Sequence, residues 1–146
     1  MTSSTPDTLS AILGALSSGL PLLLTQFVAC TALLAISVTI YITLTPFQER
    51  EMVARGNPAA GMVLGGVILA LAIPLAGILA TSGRLLDVLV WGVVALVLQL
   101  FTLGVVALLL RNLRGMIESG NVAAALTLSA AQIAVALLNA AAMIPT

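Results

Sequence analysis

GNPAAG occupies residues 56–61, and 64 positions later GNVAAA occupies residues 120–125. Glycine tolerates the left-handed conformation that ends a helix, and asparagine is a strong helix N-cap. Each Gly-Asn pair therefore reads as a boundary: Gly56 and Gly120 stop one helix, and Asn57 and Asn121 start the next. At the same offset Arg50 matches Arg114, Met52 matches Met116, and Ala59-Ala60 match Ala123-Ala124. The frame is an internal repeat, and its punctuation places two elbows in the chain.

What lies on either side of the elbows is apolar. Of 146 residues, 61% are hydrophobic and 7% are charged. A soluble domain carries about 25% charged residues, so this chain cannot cover itself with polar surface, and the class is integral membrane protein. A helix crosses about 30 Å of hydrocarbon with roughly 20 apolar residues. Segments 20–44, 59–80, 86–110 and 121–144 meet that length. Repeat 1 covers 20–80 and repeat 2 covers 81–146. Each is helix, elbow, helix, which returns the chain to the side it left. The two copies must then share one orientation, as a parallel repeat. The expected fold is all-α: four transmembrane helices with short interfacial elbow helices.

Residues 1–19 precede the first span. Thr5-Pro6 resembles an N-cap and first helical residue, and Leu9, Ile12, Leu13 and Leu16 recur at helical spacing, which predicts a short interfacial helix. The first 49 residues hold no Lys or Arg, so no positive secretory n-region is expected. The first and third connections hold Arg50, Arg55, Arg111 and Arg114; the second holds only Arg84. The positive-inside rule puts the elbows in the cytoplasm and both termini outside. In the first elbow, Thr45-Pro46-Phe47-Gln48 is a capping-box pattern opening a helix over 46–55. Phe47, Met52 and Val53 are expected in the interface, with Glu49, Arg50 and Arg55 in water. The four elbow arginines are candidate contacts for headgroups or a partner. Asn57 and Asn121 read as caps, or, with their helix N-termini, as an anion site.

The chemistry open to the chain is narrow. It has no His, no paired carboxylates and no metal-ligand spacing, so neither an enzyme, a metal nor a cofactor is expected. The formal net charge is zero, which argues against nucleic acid. Cys30, the single cysteine, reads as a small hydrophobe. Asp87 is expected to cap the third span beside Arg84, and Pro74 to kink the second. Gln26 and Tyr41 are expected near the ends of the first span, with polar tips at the interface.

Neutral polar residues form two stripes inside the membrane. Gly92, Ala95, Gln99 and Thr102 share a face of the third span; Ala125, Ser129, Gln132, Ala136 and Asn139 share a face of the fourth. An unpaired amide in hydrocarbon costs several kcal/mol, about the loss of a hydrogen bond with nothing to replace it, so these faces turn away from lipid. Gln99, Thr102, Ser129, Gln132 and Asn139 are either glue between close-packed helices or the lining of a hydrated path. Gly61, Gly65, Gly66, Ala70 and Gly77 of the second span offer a small partner surface. Across the repeat, Gln99 corresponds to Ala35 and Gln132 to Ile68.

Several of these residues carry a family resemblance. Thr45-Pro46 leads to Gly56-Asn57-x-Ala59-Ala60, followed by Pro74-Leu75-Ala76. Leu86-Asp87-x-x-x-Trp91-Gly92-x-x-Ala95-x-x-x-Gln99-Leu100 comes next, then Glu118-x-Gly120-Asn121-x-Ala123-Ala124 and Leu138-Asn139-Ala140-Ala141-x-Met143. Over about residues 25–143 the sequence resembles the domain of unknown function 350 family (uncharacterised protein family 0719) of bacterial inner-membrane proteins. The family often has Cys where Ala142 stands here. The resemblance implies a four-span protein of the bacterial inner membrane and supplies no settled activity. The expected function is a non-enzymatic helical bundle that self-associates in the bilayer and engages membrane or cytoplasmic partners through its elbows. The alternative is an oligomeric channel or conduit for a small solute or ion, lined by the neutral amides.

Overall fold

A computed structural model describes residues 8–45, 48–82 and 84–143. These form six helices: α1 (Thr8–Leu44), α2 (Glu49–Ala54), α3 (Pro58–Thr81), α4 (Leu85–Leu109), α5 (Leu113–Glu118) and α6 (Val122–Ala142). The four long ones, α1, α3, α4 and α6, are each long and apolar enough to cross a membrane.

The bundle is built on the pair α3–α6, its most extensive helix contact. Small residues set the distance between them. A Cβ on Gly66 would lie 2.5 Å from Ser129 Oγ and 3.1 Å from Ser129 Cα. Further along, a Cβ on Gly77 would sit 3.4 Å from that of Ala140. Because the backbones come this close, the Ser129 hydroxyl reaches across and donates to the Met62 carbonyl at 2.9 Å. Ala59, Ala60, Val63, Val67, Ala124, Ala125 and Leu128 are all buried in this seam. α4 packs on both members of the pair, and α1 packs on α3 and α4. Leu113 and Ile117 of α5 close the elbow end of the same core. At the other end Leu75, Ile78 and Val88 form a smaller cluster, with Cys30 packed against it.

Helix boundaries depart from the sequence reading in three places. Residues 8–19 do not form a separate helix; they continue α1 through Pro21. Proline removes one N–H and clashes with the preceding turn, yet the apolar run on both sides carries the helix on. Thr5-Pro6 lies outside the described residues. From Thr8 to Thr25 every residue of α1 is exposed, an arm of about 27 Å at 1.5 Å per residue. Second, α2 starts at Glu49, with Gln48 as an N-cap that makes no side-chain bond. The Thr45–Gln48 capping box does not form; Thr45 instead donates to the Glu49 carboxylate. Pro46 and Phe47 lie outside the described residues. Third, Asp87 does not cap α4. The N-cap is Arg84, and Asp87, in the first turn, accepts a hydrogen bond from the Ser82 hydroxyl.

Overpacking a tight helix seam costs about 1–3 kcal/mol. Gly66→Ala is expected to destabilise the bundle by that amount. Gly104→Ala, where an added Cβ meets nothing within 4 Å, is expected to leave stability unchanged or raise it slightly. Denaturant unfolding in mixed micelles checks both.

Candidate functional site

The two elbows share their geometry residue by residue. Gly56 has φ 80° and Gly120 φ 81°. Asn57 N–H donates to the Met52 carbonyl at 2.9 Å, and Asn121 N–H to the Met116 carbonyl at 2.8 Å. Gly56 and Gly120 donate to the Val53 and Ile117 carbonyls. This pairing of bonds around a left-handed glycine satisfies the last carbonyls of α2 and α5. Each Asn side chain then accepts from the amide three residues on, Ala60 and Ala124, both at 3.1 Å.

The asparagines differ in what else they hold. Asn57 Nδ2 also donates to the Ile117 carbonyl at 2.9 Å and to the Glu118 carbonyl at 3.2 Å. It thereby ties the first elbow to the second. Between the elbows lies a groove of about 550 Å³ lined by Gln48, Met52, Arg55, Asn57, Glu118 and Ser119, among others. Of the four elbow arginines, Arg55 pairs with Glu51 at 3.2 Å and Arg114 with Glu118 at 2.6 Å. Arg50 and Arg111 are exposed.

The intramembrane polar residues of the two stripes make no hydrogen bond to one another among the described residues; each one that bonds does so to a separate partner. Gln99 is fully buried and reaches the Ala70 carbonyl of α3 through a long, weak bond at 3.5 Å. Thr102 turns back to its own helix, donating to the Leu98 carbonyl. Ser129 meets α3 as described. Gln132, fully buried, donates to the Tyr41 hydroxyl of α1. Asn139 is half-buried nearer the end of α6 away from the elbows. Gln99 and Gln132 thus meet different neighbours, α3 and α1. Three amide atoms stay buried without a partner among the described residues: Gln99 Oε1, Gln132 Oε1 and Asn139 Nδ2.

Three residues behave contrary to the sequence reading. Tyr41 is not at the interface; it is 0% exposed, in the core, with its hydroxyl held by Gln132. Since α1 begins at Thr8, Gln26 falls near its middle rather than at an end. Glu49 does not meet water either. It is 1% exposed, its Oε1 accepts the Thr45 hydroxyl at 2.8 Å, and its Oε2 has no partner among the described residues. Taking the carboxyl out of water raises its affinity for a proton; its own backbone N–H and the Thr45 hydroxyl act in the opposite sense, more weakly. Tyr41, Thr45 and Glu49 follow one another at four-residue steps. That spacing is visible in the sequence.

A helical bundle with four helices long and apolar enough to span a membrane, and a few polar side chains buried in its apolar core, defines a multi-pass membrane protein. The chain belongs to the family described as Domain of Unknown Function (DUF350), whose profile matches residues 15–143. It is similar to the UPF0719 inner membrane protein YjfL of Escherichia coli strain K12. The two are 32% identical over 112 residues, covering 77% of this chain and 85% of the relative. The YjfL of Escherichia coli O157:H7 matches to the same extent. No solved structure matches.

Loss of an asparagine cap costs about 0.5–2 kcal/mol, and each further hydrogen bond contributes about 1 kcal/mol. Asn57→Ala is therefore expected to destabilise the protein more than Asn121→Ala, by about 1–2 kcal/mol. Parallel unfolding measurements on the two variants check the difference.

Proposed function

We infer that this protein is a non-enzymatic, self-associating helical module of a bacterial inner membrane that presents its elbow face to partners. Self-association rests chiefly on the α1 arm. Leu9, Ile12, Leu13 and Leu16 are each more than half exposed, and Leu20 nearly so, on a helix segment that no other part of the described chain covers. Each large apolar side chain left in water forgoes about 1.5–3 kcal/mol, so the arm needs a bilayer surface or a second copy. Within the bundle, Ser129 and Gln132 are spent on bonds to neighbouring helices, as packing glue would be.

The matched elbows support a parallel two-helix repeat. The four-to-one arginine bias supports elbows in the cytoplasm and termini in the periplasm, and the inner-membrane location named for YjfL supports the same membrane here. Absence of histidine and of paired carboxylates in the sequence supports a non-enzymatic role. The groove between the elbows, lined in part by Arg55, Asn57 and Glu118, is the surface offered to a headgroup or a protein partner, with the exposed Arg50 and Arg111 as further candidate contacts.

Oxidation of native membranes carrying Leu16→Cys in a Cys30→Ala background is expected to yield covalent dimers. Monomers alone there, and at Ile12, Leu13 and Leu20 in turn, would sink this reading.

One observation favours a conduit instead: the unpartnered Oε1 atoms of Gln99 and Gln132, which water would satisfy. A conduit predicts solute or ion flux in liposomes that falls in Gln99→Leu/Gln132→Leu. The packing reading predicts no flux in either protein, and a stability change only.

A further inference from the structure

Glu49 is a carboxyl placed where a charge has no support. It is 1% exposed, and one of its oxygens is unpartnered among the described residues. The groups around it do not neutralise it. Tyr41 of α1, two four-residue steps before it, has its hydroxyl engaged by Gln132. α3, which packs against α2, carries no charged side chain. On α2 itself, Arg55 is taken by Glu51 and Arg50 is exposed. In the second elbow, Arg114 is taken by Glu118 and Arg111 is exposed. Burying an unpaired carboxylate is so costly that the group takes up a proton instead.

The other short helix shows what kind of seat this is. α5 also buries its first residue, and that residue is Leu113, 3% exposed. The position 64 residues before it is Glu49, the first residue of α2. An aliphatic side chain fills the seat in one elbow, and a carboxyl fills it in the other. Only the neutral acid matches the leucine in its demand on the surroundings.

We propose that Glu49 is a proton-binding site, whose Oε2, buried and unpartnered among the described residues, takes a proton from water and returns it to water as pH rises. On binding, an Oε2–H bond forms and the carboxylate charge is neutralised; the donor is hydronium or a buffer acid, which recovers the proton on release. The site needs neither a second copy nor a partner, so it stands apart from the self-association argued above.

Burial holds the Glu49 carboxyl above its ordinary value of 4.5. In the unfolded chain the group ionises around that ordinary value; in the folded chain it keeps its proton to higher pH. Between the two values the folded state binds more protons, so stability falls as pH rises through that window. Below the ordinary value both states are protonated and the penalty is absent.

The chain has three glutamates, Glu49, Glu51 and Glu118. Infrared titration of the full protein in lipid nanodiscs, with 13C-labelled glutamate, resolves their carboxyl bands. One protonated band is expected to persist at a pH where the other two have ionised, to vanish in Glu49→Gln, and to remain in Glu51→Gln and Glu118→Gln. The thermal midpoint of the parent is expected to fall as pH rises through that band's titration, while that of Glu49→Gln stays level. Three glutamates titrating together would overturn the proposal. So would a titration midpoint that moves to lower pH on adding sodium, potassium or magnesium, which would assign the seat to a metal cation. If Glu49→Gln fails to fold, the parent band and its persistence in the other two variants decide the matter.

Discussion

The close approach of α3 and α6 is the constraint on which the rest of the bundle depends. Lipid is as apolar as leucine, so helices in a membrane gain little from hiding hydrophobic surface; they associate through close packing and interhelical hydrogen bonds. Gly66 lets Ser129 sit almost against the α3 backbone, and the hydroxyl then finds the Met62 carbonyl. With that pair locked, α4 and α1 have a surface to pack on, and Gln99 and Gln132 are carried to fixed neighbours.

The elbows transmit the same order to the bundle's end. A left-handed glycine followed by a capping asparagine closes one helix and opens the next within two residues. In the first elbow the asparagine does more, because its free amide nitrogen reaches carbonyls of the second. The end of α5 is thereby tied to the start of α3, and the groove between the elbows is lined from both sides of that link. α2 seats a carboxyl under this roof where α5 seats a leucine. The elbow end thus combines tight backbone capping with one polar group whose state is open to change.

Much of this was legible in the residues. Composition alone excludes a water-soluble fold, and the length of the apolar runs sets four spans. The Gly-Asn pairs mark helix boundaries because glycine's conformational freedom and asparagine's capping geometry are local properties, decided within a few residues. The Gly and Ala stripe on the second span likewise announces a close helix contact, since only small side chains permit one. The resemblance to a family of bacterial inner-membrane proteins follows from the same residues.

Partnership could not be read in this way. Gln99 and Gln132 were recognisable as groups that must avoid lipid, but which helix each would meet depends on rotations and crossing positions set by the whole bundle. Tyr41 looks like an interfacial residue until α6 brings Gln132 to its hydroxyl. Glu49 looks like a solvated elbow residue until the start of α2, three positions later than the capping pattern implies, turns it inward beneath Thr45. Local chemistry, acting between near neighbours in the chain, determined the two Gly-Asn helix boundaries and the four apolar runs. Only the tertiary structure decided which polar groups are shared and which are left bare, because those contacts join residues 29 to 91 positions apart.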